Sequence, residues 1–147
     1  YKNTPNLEAF EKATEESANR LCYNGDIFTV EDYAKWKERF PRTEMLMMGR
    51  GILRNPGLIG MIKGKGAPEK ERIHEFHDRL LKEYIEVNSG DTPVLFKMKE
   101  LWSYMGQLFP DGEHAVRKVR KARNDSEYVQ AVQKLFTSCE MNGTYGG

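Results

Sequence analysis

The sequence predicts an α/β segment followed by an all-α segment, and three observations carry that prediction. Residues 20–23 (RLCY) are a short apolar run that breaks into Asn24-Gly25-Asp26, and residues 44–48 (EMLMM) break the same way into Gly49-Arg50-Gly51. A stretch of helical periodicity separates the two. Beyond Lys63-Gly64-Lys65-Gly66, apolar residues recur at intervals of three and four in one stripe after another. The composition allows a packed core: 147 residues, 39% hydrophobic and 31% charged, exclude a disordered chain and point to a soluble one. No apolar run approaches the ~20 residues a membrane span requires, and no signal-peptide pattern opens the chain.

Leu7, Phe10 and Ala13 set a helix over 7–18 that leads into the first strand, 20–23. Thr29 stands as N-cap before Glu31 and Asp32, acids that favour a first helical turn, and Val30, Tyr33, Trp36 and Phe40 supply the apolar face. Pro41 stops that helix by disfavouring helical backbone at the residue before it. The second strand, 44–48, is continuous enough in apolar character to predict burial on both faces. A strand–helix–strand unit of this kind is nearly always parallel and right-handed, so both glycine endings fall on the carboxyl edge of the sheet. A short helix follows Asn55-Pro56 through Leu58, Ile59 and Ile62, and the glycine-rich break sets a boundary between residues 1–65 and 66–147.

In the second part Ile73, Phe76, Leu80, Tyr84 and Val87 mark one helix face, and Val94, Met98, Leu101, Trp102, Met105 and Leu108 mark the next. Pro110-Asp111-Gly112 turns the chain. Val116, Val119 and Ala122 mark a third helix; Val129, Val132, Leu135 and Phe136 mark a fourth, capped by Asp125 or Ser126. The expected architecture is a four-helix bundle with a frayed tail over 141–147.

Glycine lets backbone approach a ligand closely, and amides freed by a turn, with a nearby helix N-terminus, make a fixed positive cradle for a phosphate. Asn24-Gly25-Asp26 and Gly49-Arg50-Gly51 are spaced to build one jointly. Glycine turns of this sort are common, so spacing alone does not fix the ligand. The stretches YNGDIFTVEDYAKW and MMGRGILRNPGL resemble the end of the barrel in tRNA-dihydrouridine synthases, and KMKELWSYMGQLFPDG with the helices after it resembles the helical domain of the bacterial members. That resemblance spans nearly the whole chain. It implies the C-terminal part of a (β/α)8 TIM barrel, its last two parallel strands and helices, followed by the helical domain. It further implies a flavoprotein that reduces uridine in tRNA with FMN and NADPH in the cytoplasm. Carried over residue by residue, it places Asn24, Gly25, Asp26, Gly49 and Arg50 around the FMN phosphate and gives the helical part tRNA as partner.

Tyr1 in place of a start methionine leads to the expectation that the chain begins inside a longer protein. The family's catalytic cysteine loop has no counterpart here, so the chain alone is expected to be inactive. Cys22 lies within a strand and reads as a small buried residue. His74 and His77 share a helix face but miss the zinc-protease spacing, since position 78 is Asp78, and no metal is expected. Two Asn-x-Ser/Thr triplets, at Asn124 and Asn142, read as accidental without a secretory signal. The run from His114 to Arg123 carries five cations and no acid in a chain of net charge +1. Arg117, Arg120 and Lys121 fall close together at helical spacing while Lys118 projects elsewhere, which nominates those three, with Lys97 and Lys99, as phosphate contacts. Trp102 reads as core, and Tyr104 as the better stacking surface. Two further readings stay open: a non-catalytic RNA-binding module, or another phosphate-binding barrel flavoenzyme. Two strands with open edges also predict self-association.

Overall fold

The computed structural model describes residues 4–88 and 90–144. Helix α1 (Leu7–Glu16), capped by the Asn6 side chain, leads into strand β1 (Cys22–Tyr23). Helix α2 (Val30–Arg39) follows, and its start obeys the sequence closely: Thr29 Oγ1 accepts from the Asp32 amide while the Asp32 carboxylate accepts from the Thr29 amide, a reciprocal capping box. Strand β2 (Met45–Leu46) pairs parallel with β1, Cys22 opposite Met45 and Tyr23 opposite Leu46. Helices α3 (Arg50–Arg54) and α4 (Leu58–Ile62) are short. Gly64 and Gly66, both at positive φ, then turn the chain into α5 (Lys70–Val87). Helix α6 (Asp91–Met105) runs into two 3-10 turns, Gly106–Leu108 and Pro110–Gly112, and α7 (Glu113–Lys121) and α8 (Asp125–Ser138) complete the described chain.

This overturns the expected fold class. The protein is a small, mainly helical domain and not a piece of TIM barrel joined to a four-helix bundle. Strand β1 is two residues long because its apolar run meets Asn24-Gly25 at once, and β2 pairs over only the two residues opposite it although its apolar run continues through Met48. Nor is β2 buried on both faces: Met45 and Leu46 are half-buried, Met47 is exposed, and Cys22 on β1 is exposed rather than hidden. The helical part departs from a bundle because its staves are unequal, nine residues in α7 against 18 in α5, and because α3 packs on α6 beside them.

Two apolar clusters organise the chain. Tyr23, Ile27, Trp36 and Phe40 form the smaller, with Phe10 set edge-on to Tyr23 and Phe40 at centroid distances of 5.0 and 5.1 Å. The larger contains every residue of the expected α6 stripe, together with Val116, Val119 and Ala122 of α7. Asn55, 2% exposed, ties the junction: its side chain donates to the Gly143 carbonyl at 2.9 Å and accepts from the Gly57 amide at 2.9 Å. The Asn142 amide donates to the Leu108 carbonyl, so residues 141–144 are docked and not frayed; 145–147 lie outside the described residues.

The stripes of α5 and α8 are each displaced from the sequence reading. Phe76 and Val87 are 38% and 82% exposed and Val129 is 51% exposed, while His77 and Tyr128 are buried in their stead. The cap of α8 is Asn124, neither Asp125 nor Ser126. The reason for the displacement is a polar network. Trp102 Nε1 donates to the Tyr128 hydroxyl at 2.9 Å, so that hydroxyl spends its own hydrogen on His77 Nε2 at 2.7 Å, and the His77 proton sits on Nδ1, which donates to Asp78 at 2.8 Å. Each buried polar side-chain atom of this network is satisfied, and periodicity counted on apolar residues cannot register that.

Burial holds the His77 imidazole below its usual range, against a smaller upward pull from Asp78, and burial raises the Tyr128 phenol. Folded His77 is therefore neutral, whereas in the unfolded chain it protonates near its ordinary 6.5. Its contribution to stability is complete above that pH and declines as pH falls below it. Tyr128→Phe, which strands two buried groups, is expected to cost about 1–3 kcal/mol in urea unfolding. The parent's urea midpoint should fall between about pH 7.5 and about pH 5.5, and that fall should shrink in His77→Gln.

Candidate functional site

Two regions bring the nominated residues together. The first is the corner where both strands end. The Met47 amide donates to the Tyr23 carbonyl at 2.8 Å, so the two loops leave the same edge, side by side. Arg50 pairs with Asp26, joining the loops directly. Gly51 is the tightest point: a Cβ there would stand 2.0 Å from the Ile27 carbonyl oxygen, so only glycine allows α3 to lie against the first loop. Gly25 serves packing as well, because a Cβ would meet the Tyr23 hydroxyl at 2.1 Å. Gly49 differs. It is the N-cap of α3, makes no side-chain cap bond, and a Cβ built on it meets nothing within 4 Å.

The corner's charge is only partly neutralised. Arg54 lies over the Phe28 ring at 4.0 Å, and its buried Nε has no hydrogen-bond partner among the described residues. Arg50 lies farther from the same ring, at 5.7 Å. Sequence reasoning missed Arg54, whose position only becomes informative once α3 turns it back toward Phe28. It also read Gly49-Arg50-Gly51 as a turn that frees amides for a phosphate, whereas Arg50 and Gly51 begin a helix whose first amides have no partner within it. Asn24 is exposed at the rim.

The second region is the outer face of α7. Val116 and Val119 bury one side against α6 and α8, which leaves Arg117, Lys118, Arg120 and Lys121 exposed. A groove of about 820 Å³ on the α6 side is lined by Arg117 and Arg120. One of about 560 Å³ on the α8 side is lined by Arg117, Lys118, Lys121 and Lys134. Lys118 thus belongs to the cationic surface and does not project away from it. Lys134, from α8, joins it from a different helix, where spacing along the chain gives no signal.

Lys97 and Lys99 stand apart. Together with Arg120 they line a smaller groove of about 380 Å³. The Lys99 ammonium donates to the Ala122 carbonyl at 2.8 Å, where the last carbonyls of α7 lack helical partners, and so clamps α6 to that helix end. Lys97 lies over the Tyr84 ring at 5.0 Å. Four other surface arginines are paired, Arg20 with Glu44, Arg39 with Glu11, Arg72 with Glu75 and Arg79 with Glu83, while among the described residues Arg42 and Arg123 have no ion-pair partner. Among the described residues no carboxylate lies within ion-pair distance of Arg117, Lys118, Arg120 or Lys121. Glu127, an acid lining the α8 groove, accepts from the Arg123 amide at 2.8 Å.

Comparison with protein-family models, curated proteins and solved structures finds no match to this chain. Among the described residues no helix is long and apolar enough to cross a membrane, and no group of three His, Cys, Asp or Glu is placed to hold a metal ion.

Proposed function

We propose that this chain is the tRNA-gripping part of an FMN-dependent tRNA-dihydrouridine synthase, a cytoplasmic flavoenzyme. The observation that carries the reading is the unpaired cationic face of α7. Four exposed cations within five residues repel one another, a polyanion laid across them relieves that repulsion, and release of its condensed counterions drives such binding. The spacing of the face supports a phosphodiester backbone passing over α7, with Arg117 at the centre and Lys134 extending the track onto α8.

The strand-end corner supports the flavin half of the proposal. The open space at Gly49, the free amides that begin α3 and the unpartnered Nε of Arg54 fit a phosphate group. FMN, when bound, supplies hydride transfer to uridine, with NADPH as the source. In this chain Gly49 and the Arg50 amide would hold the phosphate, Arg54 would balance its charge, and Asp26 would keep the Arg50 side chain aimed across the two loops. The open edges of β1 and β2 support self-association of the isolated chain.

The expected outcome for Arg117→Ala/Arg120→Ala/Lys121→Ala is weaker tRNA binding at every sequence and a flatter salt dependence, by about 0.7–0.9 units of log–log slope per lost contact. Lys118→Ala added to the three should flatten it further. A filter-binding titration across salt concentrations reads both, and an unchanged affinity and slope would place tRNA elsewhere. Titration with FMN and with riboflavin tests the corner: the parent should prefer FMN, and Gly49→Val, whose Cβ has no protein atom within 4 Å, should fold and lose that preference. Equal binding of the two flavins by the parent would remove the corner as a phosphate site, and failure to bind either would leave an RNA-binding module without a flavin.

A further inference from the structure

The groove between the 3-10 turns and α7 holds opposite charges that do not meet. Arg117 and Arg120 line one wall; Asp111, from the Pro110–Gly112 turn, and Glu113, from the first turn of α7, line the same cavity. Among the described residues neither acid is within ion-pair distance of a cation. A face built only for phosphate gains nothing from carboxylates inside it, since they repel the ligand. A ligand presenting both an anion and an N–H edge uses both. The floor is firm, because Trp102 and Phe109 beneath it are fully buried, and the volume of about 820 Å³ is ample for one nucleotide. Arg117 donates to His114 Nδ1 at 3.1 Å, which sets a guanidinium and an imidazole together at the rim, two flat groups of the kind on which unpaired bases stack.

We infer that this groove is a base-reading site that captures one unpaired guanine of the bound RNA, with Asp111 accepting from the base and Arg117 and Arg120 holding its phosphates. The inference rests on the RNA-binding reading of α7 and adds sequence preference to it. The choice of base follows from donor geometry. Guanine presents two adjacent donors, N1–H and the N2 amino group, on one edge, matching the two oxygens of a carboxylate as a guanidinium fork does. Uracil offers one N–H, flanked by carbonyl oxygens that a carboxylate repels, and adenine and cytosine each offer a single amino group. Asp111 is favoured over Glu113 because its short side chain is held by a turn with proline at its start, whereas Glu113 also faces the positive end of α7.

The test uses the full chain and fluorescein-labelled pentanucleotides UUGUU, UUIUU, UUAUU and UUUUU, read by anisotropy at fixed salt. UUGUU should bind about tenfold more tightly than UUUUU, the scale of a good bidentate base contact, with inosine, which lacks the N2 amino group, in between. Asp111→Asn should bring UUGUU to within about twofold of UUUUU, with UUUUU itself bound no more weakly than by the parent because a repelling charge is gone, whereas Arg117→Ala should weaken all four alike. Equal binding of UUGUU and UUUUU by the parent, or a guanine preference that survives Asp111→Asn, overturns the base-reading site and leaves the phosphate face intact. Failure of all four RNAs to bind at any salt overturns both.

Discussion

The hydroxyl of Tyr128 is the point on which the helical part depends. It accepts from Trp102 on α6 and donates to His77 on α5, so one oxygen on α8 fixes three helices at a single buried locus. Helix α7 has no such bond of its own. It is held by Val116 and Val119 packed on α6 and α8 and by the Lys99 ammonium at its end. The position of the cationic face therefore follows from the α6–α8 pair, and that pair is registered by Tyr128. A buried hydrogen-bonded network of this kind has one satisfied arrangement, whereas apolar packing alone tolerates sliding.

The same principle separates what the sequence reveals from what it hides. The α6 stripe is fully legible because every inward residue is apolar, from Val94 to Leu108. The faces of α5 and α8 are misread because their inward residues include His77 and Tyr128, whose burial depends on each other across 51 positions. The capping box at Thr29 is local and is read correctly; the Asn55 bond to Gly143 spans 88 positions and has no local signature. The short strands were overextended for a related reason. Apolar character in 44–48 persists past the paired residues, and Met47 points to solvent although its composition predicts burial.

The candidate sites divide in the same way. Glycines at 25, 49 and 51 look equivalent as a pattern, yet two of them accommodate neighbouring protein and only Gly49 faces open space. On α7 the angular spacing of Arg117, Arg120 and Lys121 was legible, but the contributions of Lys118 and Lys134 emerge only where α8 closes the second groove. Lys99 illustrates the converse. Its charge looks free in the sequence and is committed to a helix end in the fold.

The central claim is that α7 and the adjoining side of α8 face an RNA backbone. Lysine acetylation footprinting with and without saturating tRNA addresses it most directly, because each lysine reports its own exposure. The account predicts protection of Lys118, Lys121 and Lys134, with Lys12 and Lys82, both exposed on other helices, labelled equally in the two states. Uniform labelling at Lys118, Lys121 and Lys134 in the presence of bound tRNA would contradict it.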